Sequence, residues 1–417
     1  MSESASVTCT APVNIAIIKY WGKRDVERNL PTNGSISVTL SQKALRTTTS
    51  VHLSPEHPAD RLWLNGKEDA NASRAGTRLA KVFDLIRRLA RQEGNPRAEW
   101  HAHVASHNSF PTAAGLASSA SGFACLAFSL AKAYGLQAGN DVLSGIARQG
   151  SGSACRSLFG GYVAWEHGYE EAASPEDEDF GSHAVQLADE GHWPEMAIFV
   201  HIVSAEKKTV SSTSGMQTTV RTSPLHTYRA AHVVPARMEA MRQAIAARDF
   251  DAFAKLTMED SNQFHATCLD TYPPIFYLND TSRDLIQLVH RFNEQQGAIM
   301  AAYTYDAGPN AVVYIKREAC RAWLDAVAAL YRPANGLRAN GDAWFSDAHD
   351  EVLPAWAAAD YAPANPAATA ELVAPFQAAP GAVDGLLFSL PGGGPEVIAD
   401  PEASLLDAAG MPKTLAN

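Results

Sequence analysis

Pro111-Thr112-Ala113-Ala114-Gly115-Leu116-Ala117-Ser118-Ser119-Ala120-Ser121-Gly122 runs from a proline-led loop through a glycine into a helix. Side chains this small let an anion approach the backbone closely. The free N–H groups of a first helical turn, with the positive end of the helix dipole, then point at that anion. The stretch reads as a phosphate cradle, with the Ser118 and Ser119 hydroxyls at the turn. Leu116, Ala120, Phe123, Ala127, Leu130 and Tyr134 recur at three- and four-residue spacing, and Gly135 supplies the stop, so a helix is predicted to run to that point. A Gly/Ser turn taken alone caps ordinary core helices just as well, and two further segments weigh on the choice.

The first is Ala11-Pro12-Val13-Asn14-Ile15-Ala16-Ile17-Ile18-Lys19-Tyr20-Trp21-Gly22-Lys23-Arg24-Asp25, which starts as a buried strand and ends in cations and aromatics around a glycine. Charges after an edge strand are usually solvated. Lys19, however, sits inside the apolar run, where an unpaired ammonium is costly, and Lys19, Lys23 and Arg24 together suit a polyanion. The second is Arg148-Gln149-Gly150-Ser151-Gly152-Ser153-Ala154-Cys155-Arg156-Ser157-Leu158-Phe159-Gly160-Gly161. Its alternating Gly and Ser expose N–H and O–H donors, and Arg156 adds a bidentate fork for carboxylate or phosphate. A linker is Gly/Ser-rich too, but it does not run straight into a strand such as Tyr162-Val163-Ala164-Trp165.

With these segments the chain resembles the GHMP superfamily of small-molecule kinases and, within it, the diphosphomevalonate decarboxylase family of eukaryotic, fungal type. The resemblance is carried by APVNIAIIKYWGKRD (11–25), FPTAAGLASSASGFACLAF (110–128), GSGSACRSLFGGYVAWE (150–166), KKTVSSTSGM (207–216), MEDSNQFHATCLDTYPPIFYLND (258–280) and AYTYDAGPNAV (302–312). These segments span most of the chain. Two stretches depart: Thr32-Asn33-Gly34-Ser35 has glycine where the family usually has serine, which leaves Ser35 as the neighbouring hydroxyl, and Pro333 to Pro380 is poorly matched.

The resemblance implies an α+β, GHMP-kinase-like two-domain fold with the active site in the cleft between the domains. It implies ATP-dependent decarboxylation of 5-diphosphomevalonate to isopentenyl diphosphate, with Mg²⁺ as the accompanying ion. Asp306, in an Asp-Ala-Gly-Pro-Asn turn, is then the catalytic carboxylate; on its own an Asp before a Gly turn is usually a turn-former. Lys19 steers the transferred phosphoryl, and Arg156, buttressed by Asn14, grips the substrate carboxylate. Tyr20, Trp21, Gly22, Lys23 and the Ser151, Gly152, Ser153, Ala154, Cys155 loop meet the diphosphate, with Arg74, Ser212 and Thr213 as further contacts. Pro111, Ala114, Gly115, Leu116, Ser118 and Ser119 hold ATP phosphates, with Ser119 on the metal. The partner expected beyond the substrate is a second copy of the chain, in a homodimer.

Composition agrees without identifying anything. A chain of 417 residues exceeds what one core usually organises, so two domains are expected. A net charge of −11 argues against nucleic acid, so an anionic ligand needs a local basic pocket. Five cysteines, odd in number and without Cys-x-x-Cys, suit reduced thiols in a cytoplasmic protein rather than a disulfide framework or zinc site. No apolar run approaches the roughly 20 residues of a membrane span, and the first ten residues have no basic leader.

Punctuation places the domains at 1–190 and 191–417. Strands are expected at Ile36–Leu40, Arg46–Leu53 and Arg61–Leu64, then a helix with Leu79, Val82, Phe83, Ile86 and Leu89 on one face. Glu170 to Asp179 reads as an exposed acidic loop. Ile198–Val203 opens the second half, followed by helices around Val234–Ile245, Phe250–Leu269 and Leu285–Phe292 and a strand at Ala311–Ile315. Pro333 to Pro380, Ala/Pro/Asp-rich, reads as a loosely ordered insertion. Serine-hydrolase, zincin and Walker motifs are missing from the sequence, and His265 beside Phe264 reads as a packed core histidine. Two alternatives stay open beside the decarboxylase: a kinase of the same fold that phosphorylates a mevalonate-type alcohol and stops, and a non-catalytic metabolite sensor.

Overall fold

The computed structural model describes residues 4–72, 74–110, 118–168, 182–203, 209–349 and 361–413. The expected contacts Pro111, Ala114, Gly115 and Leu116, and the acidic run 170–179, lie outside the described residues.

The first half contains β1 (Ala5–Pro12), β2 (Asn14–Ile18), β3 (Ser35–Thr39), β4 (Arg46–Ser54), β5 (Arg61–Leu64), β6 (Lys67–Glu68), α1 (Arg78–Gln92), β7 (His101–Asn108), α2 (Ser118–Tyr134), α3 (Asn140–Gly150), β8 (Tyr162–Trp165) and β9 (Ala184–Ala188). The segment 11–25, expected to start as a buried strand, starts across two strands. Val13 separates β1, which pairs with β4, from β2, which pairs with β3 in a second sheet of order β9-β8-β3-β2. The apolar pattern continues through the break because both strands are buried, so periodicity alone does not reveal the switch. Helix α2 lies on β1 and β4, with Ala124, Cys125, Ala127 and Leu130 in one core with Val51, Leu53 and Val104. Gly135, at φ +74°, ends it.

The second half contains β10 (Met196–Ile202), α4 (Ser212–Thr222), α5 (Pro224–Tyr228), α6 (Val234–Ala247), α7 (Phe250–Asp270), α8 (Asp280–Gln296), β11 (Ala301–Tyr305), β12 (Ala311–Lys316), α9 (Cys320–Tyr331), β13 (Phe345–Asp347), α10 (Pro366–Val373), β14 (Gly385–Ser389) and β15 (Glu396–Ile398). Its sheet has the order β11-β12-β10-β14-β13. Every residue of β10 is buried, which its unbroken apolar run requires.

Two further features depart from the sequence reading. The described parts of 333–380 are built into the second half. Trp344 is fully buried and donates from Nε1 to the Val383 carbonyl at 2.8 Å, β13 pairs in parallel with β14, and Asn365 caps α10 through the Ala368 N–H. A few aromatics anchor a segment whose bulk composition suggests looseness. The chain end also leaves the second half: β15 pairs antiparallel with β1, Val397 opposite Cys9. Leu406 then packs with Trp63 and Ala105, and the Gly410 carbonyl lies 3.0 Å from His103 Nδ1. The crossing uses Gly392, whose N–H reaches the Thr39 carbonyl at 2.9 Å while its carbonyl accepts from the Gly161 N–H at 2.9 Å. A Cβ there would collide with the Ser41 backbone.

Candidate active site

Between the halves lies a cleft of about 360 Å³. β2 delivers Asn14 to it and, one residue past its end, Lys19; the turn β11–β12 delivers Asp306, the start of α2 delivers Ser118 and Ser119, and Ser151 with the 3-10 helix Gly152–Leu158 that follows α3 delivers Gly152, Ser153 and Arg156. Among the described lining residues the cations are Lys19, Lys23, Arg78 and Arg156, against the single carboxylate of Asp306. On a chain of net charge −11, this is a local trap for a polyanion.

Lys19 and Asp306 form the centre. Lys19 Nζ donates to Asp306 Oδ1 at 2.7 Å, with Lys19 2% exposed and the Asp306 side chain 31% exposed. Burial pulls the ammonium below its usual range, and the Asp306 charge offsets part of that. The costly lysine inside the apolar run thus has its partner, and the carboxylate keeps a face toward the cleft.

Arg156 is held from behind. Its Nε donates to Asn14 Oδ1 at 3.1 Å and Ser37 Oγ at 3.0 Å, and its Nη1 donates to Ser35 Oγ. Among the described residues nothing takes Nη2, so one edge of the fork is left for a ligand. Asn14 is itself fixed by donating to the Ser153 carbonyl at 3.0 Å and Ser157 Oγ at 2.7 Å. Ser35 and Ser37, two apart on β3, share a face toward Arg156. That alternation is legible in the sequence, but its target is not. Beside them, a Cβ at Gly34 would sit 3.2 Å from both Met238 Cε and the Trp165 carbonyl, so there is little room for a side chain there.

Of the remaining expected contacts, Tyr20, Trp21 and Lys23 line the cleft. The Tyr20 hydroxyl is buried without a hydrogen-bond partner among the described residues. Trp21 donates to Thr219 Oγ1 at 3.1 Å and packs edge-on against Phe264 at 4.8 Å, so it wedges the turn more than it offers donors. Gly22, at φ +89°, makes the turn, and a Cβ there would lie 2.6 Å from Thr32 Oγ1. Lys23 donates to Asn29. Burial, then the Arg78 charge, brings its ammonium down to about 8. Ala154 and Cys155 are fully buried behind the loop, the thiol donating to the Gly152 carbonyl at 3.1 Å. Arg24 and Arg74 are exposed and lie outside the lining. Arg78, in the first turn of α1, occupies the place expected for Arg74, its Nη2 3.4 Å from Thr213 Oγ1; no local signal separates the two arginines. Ser212 and Thr213 line the far wall with Ser211 and Met216.

Ser119 Oγ and Ser151 Oγ stand 3.2 Å apart. Behind them opens a second, largely apolar cavity of about 280 Å³, lined by Leu62, Leu64, Asn65, Leu79, Phe123 and Leu126 among others and sharing Ser118, Ser119 and Phe123 with the main cleft. The sequence reading missed it, because its walls come from β5, α1, β7 and α2. Among the described residues no cluster of three or more His, Cys, Asp or Glu could hold a metal.

Comparison with known proteins is consistent across both halves. Residues 11–176 match the diphosphomevalonate decarboxylase-like N-terminal domain, and residues 198–398 match the mevalonate 5-diphosphate decarboxylase C-terminal domain. The chain is 58% identical to the diphosphomevalonate decarboxylase of Eremothecium gossypii over 74% of its length and 77% of the relative's. A crystal structure of mevalonate 5-diphosphate decarboxylase, 44% identical, superposes with a TM-score of 0.79 over 97% of this chain and 99% of that one. A structure of MDDEF in complex with MVAPP, AMPPCP and magnesium is 28% identical, with a TM-score of 0.70 over 95% and 99% of the two chains.

Proposed function

Because the chain belongs to the diphosphomevalonate decarboxylase family, we propose that Lys19, Asp306 and Arg156 carry its chemistry and that the basic wall of the cleft holds the substrate diphosphate. The activity is ATP-dependent decarboxylation of 5-diphosphomevalonate to isopentenyl diphosphate, with ADP, phosphate and CO2 released. The C3 hydroxyl is a poor leaving group, so it first attacks the γ-phosphorus of ATP and ADP departs. The C3–O bond then breaks with its electrons leaving on phosphate. The C1–C2 bond electrons close the C2=C3 double bond as CO2 leaves.

The observation that carries the residue roles is the pairing at 2.7 Å of buried Lys19 with half-buried Asp306, with Arg156 lining the same cleft. Asp306 Oδ1 is held by Lys19, which leaves Oδ2 to take or orient the C3 hydroxyl proton, an effect worth about 10²–10⁴-fold in rate. The Lys19 ammonium balances charge where the phosphoryl group crosses. The free edge of Arg156 fixes the substrate carboxylate so that the breaking C1–C2 bond aligns with the leaving phosphate. The Tyr20 hydroxyl, Lys23 and the Ser151–Ser153 loop face the diphosphate.

The nucleotide's phosphates run past Ser118 and Ser119 at the N-terminus of α2, and the apolar cavity beside them takes the adenine. Mg²⁺ fits this arrangement without a carboxylate cage, since it keeps several waters and relies on one or two protein oxygens plus phosphate; the paired Ser119 and Ser151 hydroxyls are the candidates. When bound, the ion spreads the charge that develops on the phosphoryl oxygens. The relative solved with AMPPCP and magnesium supports the pairing of nucleotide and ion. The reading includes a homodimer of the cytoplasm. None of the five cysteines is in a disulfide, which supports a reducing compartment, and no described helix is long and apolar enough to cross a membrane.

The deciding experiment supplies Mg-ATP and 5-diphosphomevalonate and follows ADP and CO2 together, with Asp306→Asn alongside. Equal release by the wild type and its collapse in the variant are expected. ADP without CO2, with a stable 3-phosphate accumulating, replaces the decarboxylase by the simple kinase.

A further inference from the structure

The segment Met258-Glu259-Asp260-Ser261-Asn262 lies within α7 and has no part in the chemistry so far. Asp260 is 0% exposed, and its carboxylate is crowded with donors. Oδ1 accepts from Arg229 Nη1 at 2.8 Å and Arg237 Nη1 at 3.0 Å. Oδ2 accepts from Arg229 Nη2 at 2.8 Å and from the main-chain N–H of Lys19 at 2.7 Å. Burial alone would push this carboxyl up, but the Arg229 guanidinium and its hydrogen bonds outweigh it and hold the group below its ordinary value. The Lys19 carbonyl is tied too, accepting from Asn33 Nδ2 at 3.0 Å and Arg229 Nη2 at 3.3 Å. Lys19 has just left the ladder of β2, so its peptide groups would otherwise lack fixed partners.

The next residue does the same for the other member of the pair. Ser261, 1% exposed, accepts the Tyr305 N–H on its Oγ at 3.1 Å, and Tyr305 immediately precedes Asp306. Helix α7 packs on both β2 and β11, so two consecutive residues of one rigid element reach the backbones that carry Lys19 and Asp306. Buried ion pairs add little net stability over apolar packing, so stability alone is a weak reason for a doubly paired, fully buried carboxylate aimed at one peptide N–H.

We propose that Asp260 and Ser261 are positioning residues of the decarboxylation: α7 sets the Lys19–Asp306 geometry through Asp260 on the Lys19 backbone and Ser261 on the Tyr305 backbone. This rests on the roles proposed above for Lys19 and Asp306. The two side chains touch neither substrate nor nucleotide. They act because a misplacement on the order of 1 Å at a reacting centre costs about a hundredfold in rate.

The test uses the full chain with Ser261→Ala and Asp260→Asn, each alone and combined with Asp306→Asn, in single-turnover kinetics with Mg-ATP and 5-diphosphomevalonate, with melting followed in parallel. Ser261→Ala is expected to melt within a few degrees of wild type and to lose about ten- to a hundredfold in the rate of the chemical step, with KM for 5-diphosphomevalonate little changed. In the Asp306→Asn background it should cost nothing further, because the group it positions is already disabled. Asp260→Asn leaves two guanidinium groups short of a partner; if it does not fold, Ser261→Ala alone decides. Wild-type rates in Ser261→Ala, a loss confined to KM, or a loss that multiplies that of Asp306→Asn overturns the proposal. Near-normal turnover in Asp306→Asn itself overturns the functional reading instead.

Discussion

Asp306→Asn should keep the fold and the substrate affinity while turnover falls by about two to four orders of magnitude, since a near-isosteric amide cannot take a proton; steady-state rates with thermal melts check both halves of that statement. Arg156→Lys tests the other side of the cleft. A single ammonium cannot reproduce a fork held by Asn14, Ser35 and Ser37, so ADP and CO2 should fall together. Continued ADP release with lost CO2 would assign Arg156 to the elimination step only. Lys23 carries a pH dependence. Burial and the Arg78 charge bring it down to about 8, so the free site sheds that proton as pH rises past this value, whereas a bound diphosphate favours the charged form. KM for 5-diphosphomevalonate should therefore climb between about pH 7 and about pH 9, and the climb should vanish in Lys23→Met, whose KM is high throughout. Equal slopes in both proteins would take Lys23 out of the diphosphate site. At this scale the sequence is most legible where a residue breaks its local rule: Lys19 stands out because an ammonium in an apolar run needs a partner. Arg78 breaks no rule and looks like any helix-surface arginine, and Asp260 reads as an ordinary helical carboxylate until Arg229 and Arg237 surround it.

Among the elements, α2 is legible from the three- and four-residue recurrence of Ala120, Phe123, Ala127, Leu130 and Tyr134 and from its closing glycine, although it is buried on nearly every side, whereas α7 buries one face with Phe250, Phe253, Ala254, Thr257, Met258, Ser261, Phe264 and His265 at that spacing. The switch at Val13 is not legible, since strands buried on both sides look alike whichever sheet they join. The end of α3 makes a prediction of its own. A Cβ on Gly150 would run into the ring of Phe123 on α2, and Phe123 stands between the main cleft and the apolar cavity. Gly150→Ala should therefore turn that ring out of place and raise KM for ATP more than KM for 5-diphosphomevalonate, with modest loss of melting temperature. A change confined to the second KM would mean that the cavity behind Ser118 and Ser119 does not receive the nucleotide.

For the whole molecule, a two-domain frame is expected from a length of 417 residues, more than one core usually organises, but the return of β15 to β1 carries no local signal, because strand partners far apart in sequence leave no periodic trace. The returning segment also covers a histidine group. His52 Nδ1 lies 2.8 Å from His57 Nε2, and His57 stacks on His103 at 3.5 Å between ring centroids. Asp407, Arg61 and His101 bear on the group electrostatically. Burial first, then the neighbouring His103, brings His57 down to about 4. The unfolded chain takes up this proton near pH 6.5, the folded one only near 4, so the unfolded state binds more protons between these values. Stability is thus fully present above about 6.5 and drains away as pH falls toward 4. Melting temperature should drop over that interval in the wild type and drop less in His57→Phe; parallel curves would absolve the cluster. Because the outer neighbour of β1, β15, lies more than 380 residues further along the chain, a ribosome releases β1 long before the strand that closes its edge exists. Synthesis therefore leaves that edge open until Glu396–Ile398 has emerged, and a nascent protein stalled anywhere before residue 396 presents it to chaperones, or to another unfinished copy on the same message.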